Sequence, residues 1–179
     1  LNSRTNNLYS TLLAIQEIKK KKKKTQNFYD KRVDDLKDKN EQLKDLEKAH
    51  AILMNGLIVH AGKLRTTNVG IVKGSKVEHV APSGTMVNGL MKDLFEYLKK
   101  DNDLILIKSC VFHYEFEFIH PFLDRNGRMG RLWQTLILMQ QYPVFEFLPV
   151  ESLIKQKQSD FYNKLSESDK KGNSTPFIE

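Results

Sequence analysis

His120-Pro121-Phe122-Leu123-Asp124-Arg125-Asn126-Gly127-Arg128-Met129-Gly130-Arg131 decides how this chain is read. The histidine closes an apolar, helix-like run, and the proline behind it forbids the helix from continuing. Phe122 is an apolar anchor that can pin the loop to a core. A carboxylate, an amide, a glycine and two arginines come next, and a new apolar-periodic helix starts among them. A helix N-terminus carries free N–H groups and a partial positive charge, so it suits an anion. Arg128 and Arg131, three apart, fall on one face of that first turn. Arginines there oppose the helix dipole, a local cost that a bound polyphosphate would offset. Asp124 beside a phosphate is a natural magnesium ligand, because magnesium takes one or two carboxylates together with phosphate oxygens. His120 titrates near working pH and can accept a proton from a hydroxyl. Taken singly, each of these residues has an ordinary structural explanation. Their coincidence within twelve residues points to phosphate chemistry.

Working outward, the pattern is helical on both sides. Val33, Leu36, Leu43, Leu46, Leu53 and Leu57 recur at three, four or seven residues with charges between them, which predicts an amphipathic helix stopping near Ala61-Gly62. Thr66 to Val72 and Val77 to Val80 are β-prone runs around Lys73-Gly74-Ser75-Lys76, and predict a hairpin. Pro82-Ser83-Gly84-Thr85 breaks the chain and offers caps. Val87, Leu90, Met91, Leu94 and Leu98 mark another helix. Further helices are expected over about 103–119, 127–141 and 150–166, with a break at Gly172-Asn173. The expected fold class is mainly α, a helical domain with one β-hairpin beside the active-site loop. Trp133 and Leu136 to Met139 read as core, and His113 as a structural or supporting residue. His60 is assigned no role, and His50 and His79 have no metal-ligand spacing with the others.

The chain has 179 residues and a net charge of +7, enough for one domain with a real core. Six of the positive charges are the consecutive lysines 19–24, so the basic character is one solvated block rather than a face for nucleic acid. No apolar run approaches a membrane span and the first twenty residues lack the order of a signal peptide, which favours a cytoplasmic setting, with secretion as an effector left open. The single cysteine, Cys110, cannot form an internal disulfide and reads as a buried, inert thiol.

The twelve-residue loop resembles the motif of the Fic family, His-Pro-Phe-x-Asp/Glu-Gly-Asn-Gly-Arg-x-x-Arg. It departs from it only at Arg125, where the family usually has glycine. Leu64-Arg65-Thr66-Thr67 with Val69-Gly70-Ile71 is similar to the family's flap hairpin, and His79-Val80-Ala81-Pro82 to the segment behind that hairpin. Phe161-Tyr162 resembles the aromatic pair beside the nucleotide base, and Thr175-Pro176-Phe177-Ile178 the start of the closing helix. The resemblance begins near residue 48, giving an N-terminal lysine-rich segment, 1–47, and a catalytic domain, 48–179.

The resemblance implies a protein adenylyltransferase. With ATP as substrate and Mg2+ as cofactor, it would move AMP to a Ser, Thr or Tyr hydroxyl of a target protein and release pyrophosphate. His120 would be the general base and Asp124 the metal ligand. The nucleotide-binding set would be Asp124, Arg125, Asn126, Gly127, Arg128, Met129, Gly130 and Arg131, with Phe161 and Tyr162 at the base. Backbone amides around Asn126 and Gly127 would cradle phosphates, and Arg131 would reach the γ-phosphate. Val69, Gly70, Ile71 and Val72 would bind an extended target strand. At position 125 an arginine keeps its N–H for phosphate if its φ is negative; it also forgoes the freedom of glycine. Many relatives carry an inhibitory Ser/Thr-x-x-x-Glu-Gly/Asn helix. Residues 1–60 hold no such string, and Thr175 to Glu179 fits only its first five positions, so an inhibitory partner or self-association is a further expectation. The alternatives are transfer of another phosphate-containing group, and a decayed basic interaction module.

Overall fold

A computed structural model describes residues 39–179, apart from 74, 75, 101 and 149. The lysine block and the start of the first predicted helix lie outside the described residues. Lys37 to Glu179 make one unit. In chain order it holds helix α1 (Lys39–Leu53), strands β1 (Gly70–Lys73) and β2 (Lys76–Val80), then helices α2 (Val87–Lys100), α3 (Ile105–Ile119) and α4 (Asn126–Met139). A short 3-10 turn (Pro143–Glu146), α5 (Val150–Gln156), α6 (Gln158–Lys171) and α7 (Thr175–Ile178) complete it. No described helix is long and apolar enough to cross a membrane.

The centre is α3. Ser109, Phe112, His113, Tyr114, Phe116 and Ile119 are all buried, more of the circumference than one amphipathic stripe covers, because other helices pack around it. Phe95 of α2 meets Phe112 at 5.8 Å and Trp133 of α4 at 6.1 Å between ring centroids. Offset and edge contacts of this kind bind the three helices into one aromatic core. Gly130 lets α4 press against α3. A Cβ there would lie 2.8 Å from Glu117 Oε1 and 3.2 Å from both His113 Nδ1 and the Phe116 ring.

The expected hairpin forms, antiparallel, with Gly70 opposite Val80, Ile71 opposite His79, and an irregularity between Ile71 and Val72. Its first strand is shorter than the Thr66–Val72 run suggests. The chain at Thr66 and Thr67 is committed elsewhere: the Thr67 carbonyl accepts from Arg65 Nη1 at 2.7 Å. Thr66 lies so close to Gly84 that a Cβ at position 84 would overlap its carbonyl.

Two helix boundaries differ from the periodicity. The first helix stops at Leu53, not near Gly62. The Leu57 N–H turns back to the Met54 carbonyl, and Gly56 takes a left-handed φ of 75°; Leu57, counted in the apolar stripe, is exposed. The single helix expected over 150–166 is two, α5 and α6, parted at Lys157 (φ −114°, ψ 32°). The break needs no glycine or proline. It accompanies the packing of Phe161 edge-on against His113 and Phe177, at 5.4 and 5.3 Å. Gly172 ends α6 with φ 65° as a left-handed cap.

Candidate active site

The loop from His120 to Arg125 is bounded by two left-handed residues, His120 (φ 51°, ψ 61°) and Arg125 (φ 63°, ψ 24°). Non-glycine residues there cost roughly 1–3 kcal/mol each and persist only where their surroundings impose them. Here the surroundings are explicit. Arg65, almost completely buried, donates from Nε to the His120 carbonyl at 2.7 Å and from Nη2 to the carbonyls of Ile119 (2.9 Å) and Pro82 (2.7 Å). Its backbone N–H donates to the Pro121 carbonyl at 2.8 Å. One guanidinium therefore satisfies carbonyls that the end of α3 leaves without helical partners.

His50 braces the other side. Its Nδ1 accepts the Gly62 N–H at 2.8 Å, so Nε2 carries the proton and donates to the Asp124 carbonyl at 3.2 Å. Its ring lies flat on Phe122, centroids 3.8 Å apart and planes 2° apart. Burial holds His50 below the usual histidine value, in keeping with a neutral, structural ring. Phe122 is buried as the loop's anchor. Asn126 spans the loop from inside, accepting the Phe122 N–H at 2.8 Å and donating to the Phe122 carbonyl at 2.7 Å.

These pins present His120 to a cavity of about 400 Å³. Its wall brings together Ile71 of the flap, Glu117, His120, Gly127, Arg131 and the Phe161-Tyr162 pair. A long hydrogen bond from His120 Nδ1 to the Glu117 carbonyl, 3.4 Å, assigns the tautomer and leaves the Nε2 lone pair free. Burial pulls His120 below its ordinary value, so the ring is neutral at pH 7 and able to take a proton. Arg131 lines this cavity and also a neighbouring depression shared with Arg128, Leu53 and Glu151. Asp124 is exposed; its Oδ1 accepts the Arg125 N–H at 2.7 Å and its Oδ2 lies 3.3 Å from Arg125 Nε. The condition set for Arg125, a negative φ, is not met: φ is 63° and its N–H is taken by Asp124. Met129 and Gly130 are buried and the Asn126 side chain is bonded to Phe122; the cavity lining includes none of the three. Val69 and Gly70 enter the flap, where the Val69 carbonyl accepts the Ala81 N–H, while Val72 pairs with Val77 in the hairpin.

A model of the Fic/DOC family matches residues 40–138. The chain belongs to the Fic/DOC family. It is similar to a Fic family protein from Desulfovibrio desulfuricans G20, with 48% identity and a TM-score of 0.71 over 76% of this chain and 42% of that one. It is similar to Fic-1 (residues 134–508) of Caenorhabditis elegans, at 25% identity and a TM-score of 0.55, over 76% of this chain and 38% of that one. The protein adenylyltransferase fic-1 of C. elegans is 30% identical over 136 residues, 74% of this chain. The chain spans about a quarter of the length of that relative. A Fic domain containing signaling protein from Bacteroides thetaiotaomicron shares the fold at 16% identity.

Within this Fic domain three residues outside the motif bond to it. Arg65 and His50 shape the loop from 55 and 74 residues away. His50 had a signal in the sequence, since it continues the Leu43–Leu46 stripe of α1; Arg65 had only its place in the segment similar to the family's flap, which says nothing of a bond to the loop. The third is Glu151 of α5, whose two carboxylate oxygens take Arg131 Nε at 2.9 and 3.0 Å. His79 is the flap's tie to the body. Its Nε2 lies 2.9 Å from the Phe118 carbonyl and its Nδ1 3.3 Å from Asp169. His113 stacks on Phe177, with both ring nitrogens unpartnered and burial holding it down at about 4.

Proposed function

We infer that the chain is a protein adenylyltransferase that moves AMP from ATP to a Ser, Thr or Tyr hydroxyl of a target protein. The observation that carries this is His120: a neutral imidazole with a free Nε2, fixed in a left-handed turn, facing a cavity that also presents Arg131 and the first turn of α4. Nε2 takes the proton of the attacking hydroxyl. The α4 N-terminus and Arg131 hold the phosphates and offset the charge that grows on them as pyrophosphate leaves. Phe161 and Tyr162 border the base, and the flap edge at Ile71 takes the target segment as an added strand. The relatives' name, adenylyltransferase, agrees with this chemistry.

Asp124 fits magnesium as one exposed carboxylate beside the phosphate site, its shell completed by phosphate oxygens. Among the described residues no group of three or more His, Cys, Asp or Glu side chains is placed to hold an ion by itself. When bound, the metal would neutralise phosphate charge.

The test is ATP labelled separately at the α- and γ-positions, offered with magnesium and candidate target proteins. The α-label should reach protein and the γ-label should not, and His120→Ala should abolish transfer while leaving ATP affinity within a few-fold. Transfer of the γ-label would replace this reading with phosphotransfer. Full activity of His120→Ala would refute the assigned base.

A further inference from the structure

Glu117 has no part in the chemistry above, yet it sits on the cavity wall three residues before His120. Its Oε1 is fully buried without a hydrogen-bond partner. The space it fills exists because position 130 is glycine, where a Cβ would come within 2.8 Å of that oxygen. Its neighbour across the first turn of α4 is Arg131: the point a Cβ would take at Gly127 is 3.7 Å from Glu117 Oε1 and 3.1 Å from Arg131 Nη1. Arg131 nevertheless spends its Nε on Glu151, on the outer side. One guanidinium is therefore bracketed by two carboxyl groups, one exposed and one buried.

The charge balance of this arrangement is unfavourable for a polyphosphate. With Glu117 and Glu151 both ionised, Arg131 is overcompensated, and a third anion would be pressed against a carboxylate whose Oε1 is buried without a partner. A buried carboxyl without partners prefers its neutral form, and a nearby polyphosphate strengthens that preference. We propose that Glu117 sets the charge of the phosphate subsite: a nucleoside polyphosphate binds beside Arg131 with Glu117 as the uncharged carboxylic acid, so that binding takes up a proton. This rests on the reading of the cavity as a nucleotide site.

Burial acts in opposite directions on Glu117 and on the histidines of its own helix and its cap. Burial pushes it up to about 7, against the opposing pull of Arg131. On its own helix, His113 is held at about 4 and stays neutral; His120, at the helix cap, is also held down by burial. Also on α3 and lining the cavity, Tyr114 is pushed up to about 12 by burial and the nearby Asp169 and Glu115. Asp169, raised by its own burial, faces His79.

The experiment is ATP binding by calorimetry, with magnesium, to the full chain carrying His120→Ala, which stops turnover and removes that histidine from the titration. It is run from pH 7 to 9 with and without Glu117→Gln, glutamine being the uncharged isostere. With Glu117 present, Kd should weaken by up to about tenfold per pH unit above 7. Repeating the titration in buffers of different ionisation enthalpy should show close to one proton taken up near pH 8. With Glu117→Gln, Kd should be flat across the range and match the tight limit of the parent chain. Parallel pH curves for the two chains would overturn the proposal, and so would an absence of proton uptake in the parent, which decides the matter even if the glutamine variant folds poorly. Failure of both chains to bind ATP at any pH overturns the nucleotide reading beneath it, an outcome distinct from tight, pH-independent binding.

Discussion

Replacing Arg65 by methionine, which keeps length and apolar bulk but removes every donor, should weaken fold and catalysis together. Arg65 makes four side-chain hydrogen bonds to carbonyls, at 2.7–2.9 Å. They are not equal. Only the one to Ile119 is wholly buried, so its loss leaves a carbonyl that water does not reach, costing about 1–3 kcal/mol. The other three are partly buried. Water can replace the guanidinium there, and about 0.5 kcal/mol each is a fair allowance. The total is roughly 2.5–4.5 kcal/mol, a large fraction of the 5–15 kcal/mol typical of a domain, so the variant should fold but melt early. Activity should fall further than stability. The left-handed turn at His120 is imposed through its carbonyl, and once released it can relax, moving the imidazole. A displacement of about 1 Å at a reacting group can cost on the order of 100-fold. Arg65→Lys should recover less than half of either loss, because one ammonium cannot span four separated carbonyls. The measurements are urea midpoints at unchanged m-value and initial rates of α-label transfer. Arg65→Met within about 0.5 kcal/mol and threefold of the parent would refute the reasoning, since experimental error is of that order.

Asn126→Asp keeps the acceptor for the Phe122 N–H but turns a carboxylate toward the Phe122 carbonyl; it should cost roughly 2–4 kcal/mol, read as a lower urea midpoint. Arg125→Gly relieves a positive φ worth roughly 1–2 kcal/mol, less the backbone entropy of glycine, so Tm should rise by an amount equivalent to about 0.5–1 kcal/mol. Arg131→Ala should reduce the initial rate at limiting ATP more than Arg125→Ala does, because Arg131 lines the cavity and Arg125 pairs outward with Asp124. Stability against pH should show two opposed slopes. His113 has a depressed folded value, about 4, so its contribution is present above 6.5 and lost as pH falls toward 4. Glu117 has a raised one, about 7, so its contribution is present below 4.5 and lost as pH rises through 7. Each slope is roughly 1.4 kcal/mol per unit, and they cancel between pH 4.5 and 6.5. Glu117→Gln should uncover the acid-side loss, measured as a urea midpoint that falls between pH 6.5 and 4.5 where the parent's stays level.

The motif loop and the helices were legible because both are local. An apolar stripe at helical spacing, or a proline after a histidine, reports on residues a turn away. The loop's conformation is not local. Whether Arg125 takes a positive or negative φ depends on how the chain reaches α4, and nothing in Asp124-Arg125-Asn126 states it. Arg65 looks like one more surface cation, because its partners are backbone carbonyls, which every sequence contains and none advertises. His50 was readable in principle, four and seven positions from Leu46 and Leu43 on the buried face of α1. Glu151 was hidden differently: its helix was merged with the next, and only the break at Lys157 separates the two.

The long reach of those pins bears on how the molecule comes into being. The turn at His120 is held by a residue 55 positions upstream and the Asp124 carbonyl by one 74 positions upstream, while the cavity's outer wall comes from α6, still later in the chain. Contacts this distant in sequence close late in folding, after loop entropy has been spent. A ribosome-bound chain with the complete motif, but not yet Phe161 and Tyr162, would own every charged group of the loop and still lack a walled cavity. On the proposed reading, a nascent Fic domain of this kind would lack the cavity that nucleotide chemistry needs until α6 has packed.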